Sequence, residues 1–125
     1  MPWDVGGLYF RHSSPAHAGL MADLIDRLLP DGRLLRTNAH PLVEMTVMRQ
    51  PARGRTLVHL VNASGHSDTA YFPPVEMRDI RIELAEPVRR ATVASSGRSL
   101  PIAQAGRYAA FTLPSLQAYE VVIVE

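Results

Sequence analysis

Cysteine and lysine are both absent from the 125 residues. Without cysteine there is no disulfide framework, no thiolate zinc site and no thiol nucleophile, and the compartment is left open on that count. Without lysine, the 13 basic residues are all arginine and stand against 12 acidic ones, for a formal net charge of +1. That balance selects neither nucleic acid nor an anionic membrane surface as a partner. All-arginine usage follows codon composition as readily as carboxylate recognition, so it is background here. Aromatic residues are scarce at 6%, with a single tryptophan. No apolar run approaches the roughly 20 residues that span a bilayer. The opening residues 1–7 lack a basic segment followed by a hydrophobic one, which favours the cytoplasm and speaks against a membrane anchor. No P-loop, no dinucleotide-binding glycine pattern, no fixed-period repeat and no low-complexity tract occurs, so no cofactor is expected.

The length suits one domain with its own core, and 46% hydrophobic content supplies it. Residues 3–12 hold an aromatic cluster, Trp3, Tyr9 and Phe10, interrupted by Gly6 and Gly7, and predict a turn leading into a short extended segment. Ser14 before Pro15 is a helix start. From there Leu20, Met21, Leu24, Ile25, Leu28 and Leu29 recur at three-to-four spacing with Asp23, Asp26 and Arg27 between them, an amphipathic helix of about four turns. Pro30, Asp31 and Gly32 end it.

Beyond Gly32 the period changes to two. Val43, Met45 and Val47 alternate with Glu44, Thr46 and Met48, and the short connection over residues 51–54 leads into residues 55–62, so the two segments predict an antiparallel hairpin. Residues 55–62 have apolar side chains on both faces, Leu57 and Val61 against Val58 and Leu60, which predicts a central strand covered on both sides. A polar loop follows over residues 62–68. Ile80, Ile82 and Leu84 then alternate with Arg81 and Glu83, and further short strands are expected at residues 88–94, 100–103, 107–113 and 118–124. Such spacing predicts a mainly β chain, an antiparallel sandwich of about seven to eight strands preceded by one amphipathic helix. The boundary falls after the helix, giving a helical lead-in over 1–31 and a sandwich over 32–125.

No catalytic constellation emerges. His12 and His17 are five apart, and His40, His59 and His66 lie in separate segments, so no metal site is expected; His59 reads as a structural histidine within its strand. Glycosidases need two carboxylates about 5 to 10 Å apart. Asp23 with Asp26, Glu76 with Asp79 and Glu83 with Glu86 each sit among arginines and read as solvated charge. Ser64 and His66 lie close without a nucleophile elbow. Asn62, Ala63 and Ser64 form a glycosylation triplet of a kind frequent by chance. For stacking a sugar ring, Trp3, Tyr71, Phe72, Tyr108 and Tyr119 are available, and Tyr71, Phe72 and Tyr108 are the candidate contacts.

His59, Leu60, Val61 and Asn62, preceded by Val43, Glu44 and Thr46 and followed by the closing Tyr119, Glu120, Val121 and Val122, carry a resemblance. The chain resembles the C-terminal region of bacterial β-galactosidase-type multidomain glycoside hydrolases. Their TIM barrel is followed by an amidotransferase-like trimerisation domain and a small β-sandwich. Asp4, Tyr9, Phe10, His12 and the helix over residues 20–29 are similar to the end of that amidotransferase-like domain. These are packing motifs, and the barrel that would carry the catalytic glutamates is not among these residues. The resemblance implies a non-catalytic accessory domain with structural or assembly duty, or alternatively a carbohydrate-binding module. Its partners would be the preceding domains, or a second copy, through Leu20, Met21, Leu24, Ile25 and Leu28.

Overall fold

The computed structural model describes residues 4–125. They fall into two compact units, the first reaching Arg33 and the second formed by residues 34–125.

The first unit is a pair of helices. Where a turn and an extended segment are expected, residues 5–12 form helix α1 (Val5–His12). The Asp4 carboxylate caps its start by accepting from the Gly7 amide at 2.8 Å, and a Cβ at Gly7 would lie 2.0 Å from that carboxylate. Glycine there breaks nothing; it makes room for the cap. Val5 is buried and Leu8 half-buried at helical spacing, so the pattern was present but short. Trp3, the first member of that aromatic cluster, lies outside the described residues. Ser13 closes α1 in the left-handed region with its amide on the Tyr9 carbonyl at 2.7 Å.

Helix α2 (Pro15–Leu28) starts with Pro15 in its first turn, yet the Ser14 side chain makes no capping bond. The Ser14 carbonyl accepts from His17 and Ala18 instead. Arg33 binds the Asp26 carboxylate and reaches the Ala22 carbonyl. No residue of α2 is buried, and most of the apolar stripe is exposed, Ile25 by 48% and Leu28 by 80%, with Leu24 half-buried.

The second unit is an antiparallel β-sandwich. Its strands are β1 (Leu35–Thr37), β2 (Val43–Gln50), β3 (Arg55–Asn62), β4 (His66–Ser67), β5 (Ala70–Tyr71), β6 (Met77–Leu84), β7 (Ala91–Val93), β8 (Ser99–Leu100), β9 (Ala103–Ala105), β10 (Tyr108–Leu116) and β11 (Tyr119–Val124). One sheet has the order β1-β6-β10-β9 and the other β2-β3-β11-β7-β8, while β4 and β5 make a separate two-stranded hairpin. The core lies between the sheets. Val58, Leu60 and Val122 face Ile82, Phe111 and Leu113, all at most 2% exposed.

The β2–β3 hairpin pairs Val43 with Asn62 through Gln50 with Arg55, as alternation predicts. Strand β3 is central in its sheet, but only its Thr56, Val58, Leu60 and Asn62 face is buried; Leu57 and His59 are half-buried and Val61 is 41% exposed. The expectation of cover on both sides is therefore corrected: the outward side chains are apolar without being enclosed. The single strand expected at 100–103 divides at Pro101 into β8 and β9, which belong to different sheets. Pro101 lacks the amide that a continuous ladder would use.

Candidate functional site

The site is built on the end of β3. Asn62, 6% exposed, donates to the Val75 carbonyl at 2.8 Å and the Gln117 carbonyl at 2.7 Å, and its Oδ1 accepts from the Ser64 amide at 3.1 Å. One side chain thus ties both ends of the 63–75 segment to the turn before β11. Both amide protons of Asn62 are thereby engaged within the fold. Ser64 adds a second tie, its Oγ accepting from the Val75 amide at 2.9 Å.

The residues expected as a polar loop form instead a short 3-10 turn, Ala63–Gly65, and the β4–β5 hairpin, in which His66 pairs with Tyr71 and Ser67 with Ala70. Asp68 supplies the left-handed residue of the turn, a conformation its short polar side chain tolerates. The returning chain passes very close to Gly65. The Phe72 amide donates to the Gly65 carbonyl at 2.8 Å, and a Cβ on Gly65 would lie 2.1 Å from the Phe72 carbonyl oxygen.

This packing leaves an open cavity of about 390 Å³, floored by Val61 and Ala118 and walled by His66, Tyr71, Phe72 and Pro74, with Glu44 at its side. The His66 and Tyr71 rings are stacked at 4.9 Å between centroids and 26° between planes. Tyr71 is 82% and Phe72 63% exposed. Glu44, Val61 and Tyr119 are consecutive register partners across β2, β3 and β11. Tyr119 turns its hydroxyl to His59 Nδ1 at 2.6 Å, and His59 Nε2 is shielded with no partner among the described residues.

Of the three candidate sugar contacts, the structure brings Tyr71 and Phe72 together and places Tyr108 elsewhere. Tyr108 lies on the other sheet, 5% exposed, with the Arg36 guanidinium 4.5 Å and the Arg107 guanidinium 5.5 Å from its ring centre. Arginine cover of this kind takes the ring face a sugar would need. Glu44, far from the hairpin in sequence, completes the cavity; only strand register brings it there.

The carboxylates are mostly engaged. Asp26 is held by Arg33, Glu83 by Arg81 at 2.8 Å, and Glu86 by Arg49 and Thr56. A second cavity, about 280 Å³, brings Glu86 and Glu125 together, a pairing without any signal in the sequence, but Arg49 and Arg90 bind them. Among the described residues no three histidine or carboxylate groups are grouped as metal ligands, and no helix is long and apolar enough to cross a membrane.

Glu76 accepts from Ser115 Oγ at 2.6 Å and Arg78 Nη2 at 3.0 Å. The Ser115 bond first and the Arg78 bond second hold its carboxyl below the ordinary 4.5. A depressed carboxyl pKa contributes stability above the unfolded value, which is lost as pH falls through the folded one. Ser115→Ala should therefore raise the Glu76 pKa toward 4.5 in a side-chain NMR titration, whereas an unchanged titration would contradict the assignment.

Several solved structures share this fold, two of them carbohydrate-active enzymes. An α-L-fucosidase isoenzyme 2 from Paenibacillus thiaminolyticus superposes with a TM-score of 0.86 at 23% identity, over 98% of this chain and 20% of that one. A cycloisomaltooligosaccharide glucanotransferase of Paenibacillus sp., solved with cycloisomaltoheptaose, gives a TM-score of 0.56 at 23% identity, over 72% of this chain and 16% of that one. No protein-family model matches the sequence, and no curated protein does. At this identity the likeness establishes fold, and the chain spans about a fifth of the fucosidase's length. The first match takes in nearly all of the chain, the helices as well as the sandwich, so both units recur together in a glycosidase.

Proposed function

We propose that this chain is a non-catalytic accessory domain of a glycoside hydrolase. It corresponds to the C-terminal region of the β-galactosidase-type enzymes, with residues 1–31 as the end of an amidotransferase-like domain and 32–125 as the sandwich. The observation that carries this is the likeness of 98% of the chain to one fifth of a glycosidase. The charge distribution is in keeping with it, since the carboxylates lining the two cavities described above are single, in Glu44, or bound to arginine, in Glu86 and Glu125. A glycosidase needs one carboxyl free to give a proton and a second free to attack or to activate water.

In this role the open stripe of α2, Leu20, Met21, Leu24, Ile25 and Leu28, is a docking face for the remainder of the larger enzyme. Contiguous apolar surface of this kind marks interfaces. A helix of 14 residues gains little from its own hydrogen bonds in water and needs such cover.

The chain at high concentration should hydrolyse none of a panel of nitrophenyl glycosides. Sedimentation should give a mass above the monomer, because copies cover each other's stripes when the enzyme's other domains are missing, and Ile25→Glu with Leu28→Glu should restore the monomer. Turnover that survives repurification and disappears in Glu44→Gln or Glu86→Gln would overturn the non-catalytic role. A monomeric wild type whose α2 is as protected from hydrogen exchange as β3 would remove the docking face.

A further inference from the structure

We propose that the cavity beside the β4–β5 hairpin is a binding site for a neutral oligosaccharide, with Tyr71 and Phe72 as the stacking platform and Glu44 as the hydroxyl acceptor. The inference is separate from the docking role of α2, because every residue it uses belongs to the sandwich.

Four observations point to this chemistry. First, Tyr71 and Phe72 are among the most exposed apolar side chains of the sandwich, yet they sit on a hairpin fixed by Asn62, Ser64 and the Gly65–Phe72 contact. Large rings held out to solvent on a rigid support suit ligand contact, since little side-chain freedom is lost on binding. Second, His66 stacks on Tyr71, and the Tyr71 ring nevertheless remains largely exposed. The flat C–H face of a pyranose buries against such a ring.

Third, the cavity, at about 390 Å³, falls within the range of small-ligand pockets, and its lining is mainly apolar with a few polar groups. Glu44 is exposed, and its carboxylate makes no hydrogen bond or ion pair with any described residue. A carboxylate can accept from two neighbouring hydroxyls at once. Fourth, no arginine lines the cavity, so an anionic sugar or a phosphate would meet Glu44 without a compensating cation.

The test is a ¹⁵N-HSQC titration of the whole chain with methyl glycosides of glucose, galactose and fucose and with maltohexaose and isomaltohexaose. Saturable shifts are expected at Glu44 and over residues 61–72, with millimolar or tighter affinity for at least one oligosaccharide and weaker binding of its monosaccharide. Tyr71→Ala and Phe72→Ala should each weaken that binding about tenfold or more, and Glu44→Gln about threefold, while Tyr108→Phe changes nothing. Core amide shifts report whether each variant is folded, and Tyr71 and Phe72 are exposed enough for truncation to leave the core intact. No saturable shift with any of these sugars at tens of millimolar would overturn the proposal. So would shifts that survive Tyr71→Ala, or binding of a proline-rich peptide in place of sugar.

Discussion

Leu60→Ala is expected to destabilise the sandwich by about 2–5 kcal/mol, the cost of lost burial plus a residual cavity. Leu60 is 0% exposed at the middle of β3, between Met45 of β2 and Glu120 of β11 in the ladder. Its side chain points into the cluster shared with the opposing sheet. Both neighbouring strands fix the backbone there, so the structure cannot collapse into the space left behind. Against a total stability of about 5–15 kcal/mol the loss is large. Leu57→Ala, on the half-buried outer face of the same strand, should cost visibly less. Urea unfolding of the two variants decides it: equal losses, or less than about 1 kcal/mol for Leu60→Ala, would contradict the placement of the core.

Asn62→Ala should cost about 3 kcal/mol, at roughly 1 kcal/mol for each of three hydrogen bonds. The variant leaves the Val75 and Gln117 carbonyls and the Ser64 amide without their partner. A larger consequence is geometric, because the 63–75 segment loses its tie to the turn before β11. The hairpin amides should then exchange with solvent far faster than those of β6, and sugar binding should disappear with them. Gly65→Ala should dislodge the same hairpin from the other side, since the new methyl would meet the Phe72 carbonyl. Asn62→Asp keeps the acceptor for Ser64 and loses the two donations, so its stability should fall between wild type and Asn62→Ala. An Asn62→Ala protein with unchanged unfolding midpoint and hairpin protection would remove Asn62 as the anchor.

The stripe of α2 was readable because five apolar residues, Leu20, Met21, Leu24, Ile25 and Leu28, recur at three-to-four spacing and constrain one another along one face. Alternation did the same for β2 and β6, where polar and apolar side chains largely take opposite faces. Helix α1 was not readable in this way. Eight residues with two glycines carry too little periodicity, and what starts the helix is the Asp4 carboxylate on the Gly7 amide, a contact that composition counts against a helix. Tyr71 and Phe72 were recognisable as candidate contacts because aromatics are rare in this chain. Tyr108 was indistinguishable from them, since nothing local reveals that Arg36 lies over its ring.

The sequence by itself determined the β class, helix α2 and the β2–β3 hairpin. These depend on interactions between residues a few positions apart, which periodicity records directly. Only the tertiary structure decided that residues 99–105 serve two sheets, that the outer face of β3 stays partly open, and that Glu44 joins Val61, Tyr71 and Phe72 around one cavity. Each of those outcomes depends on which strand lies beside which and in what register. That choice is made by burying the whole core at once, and no single segment of the chain contains it.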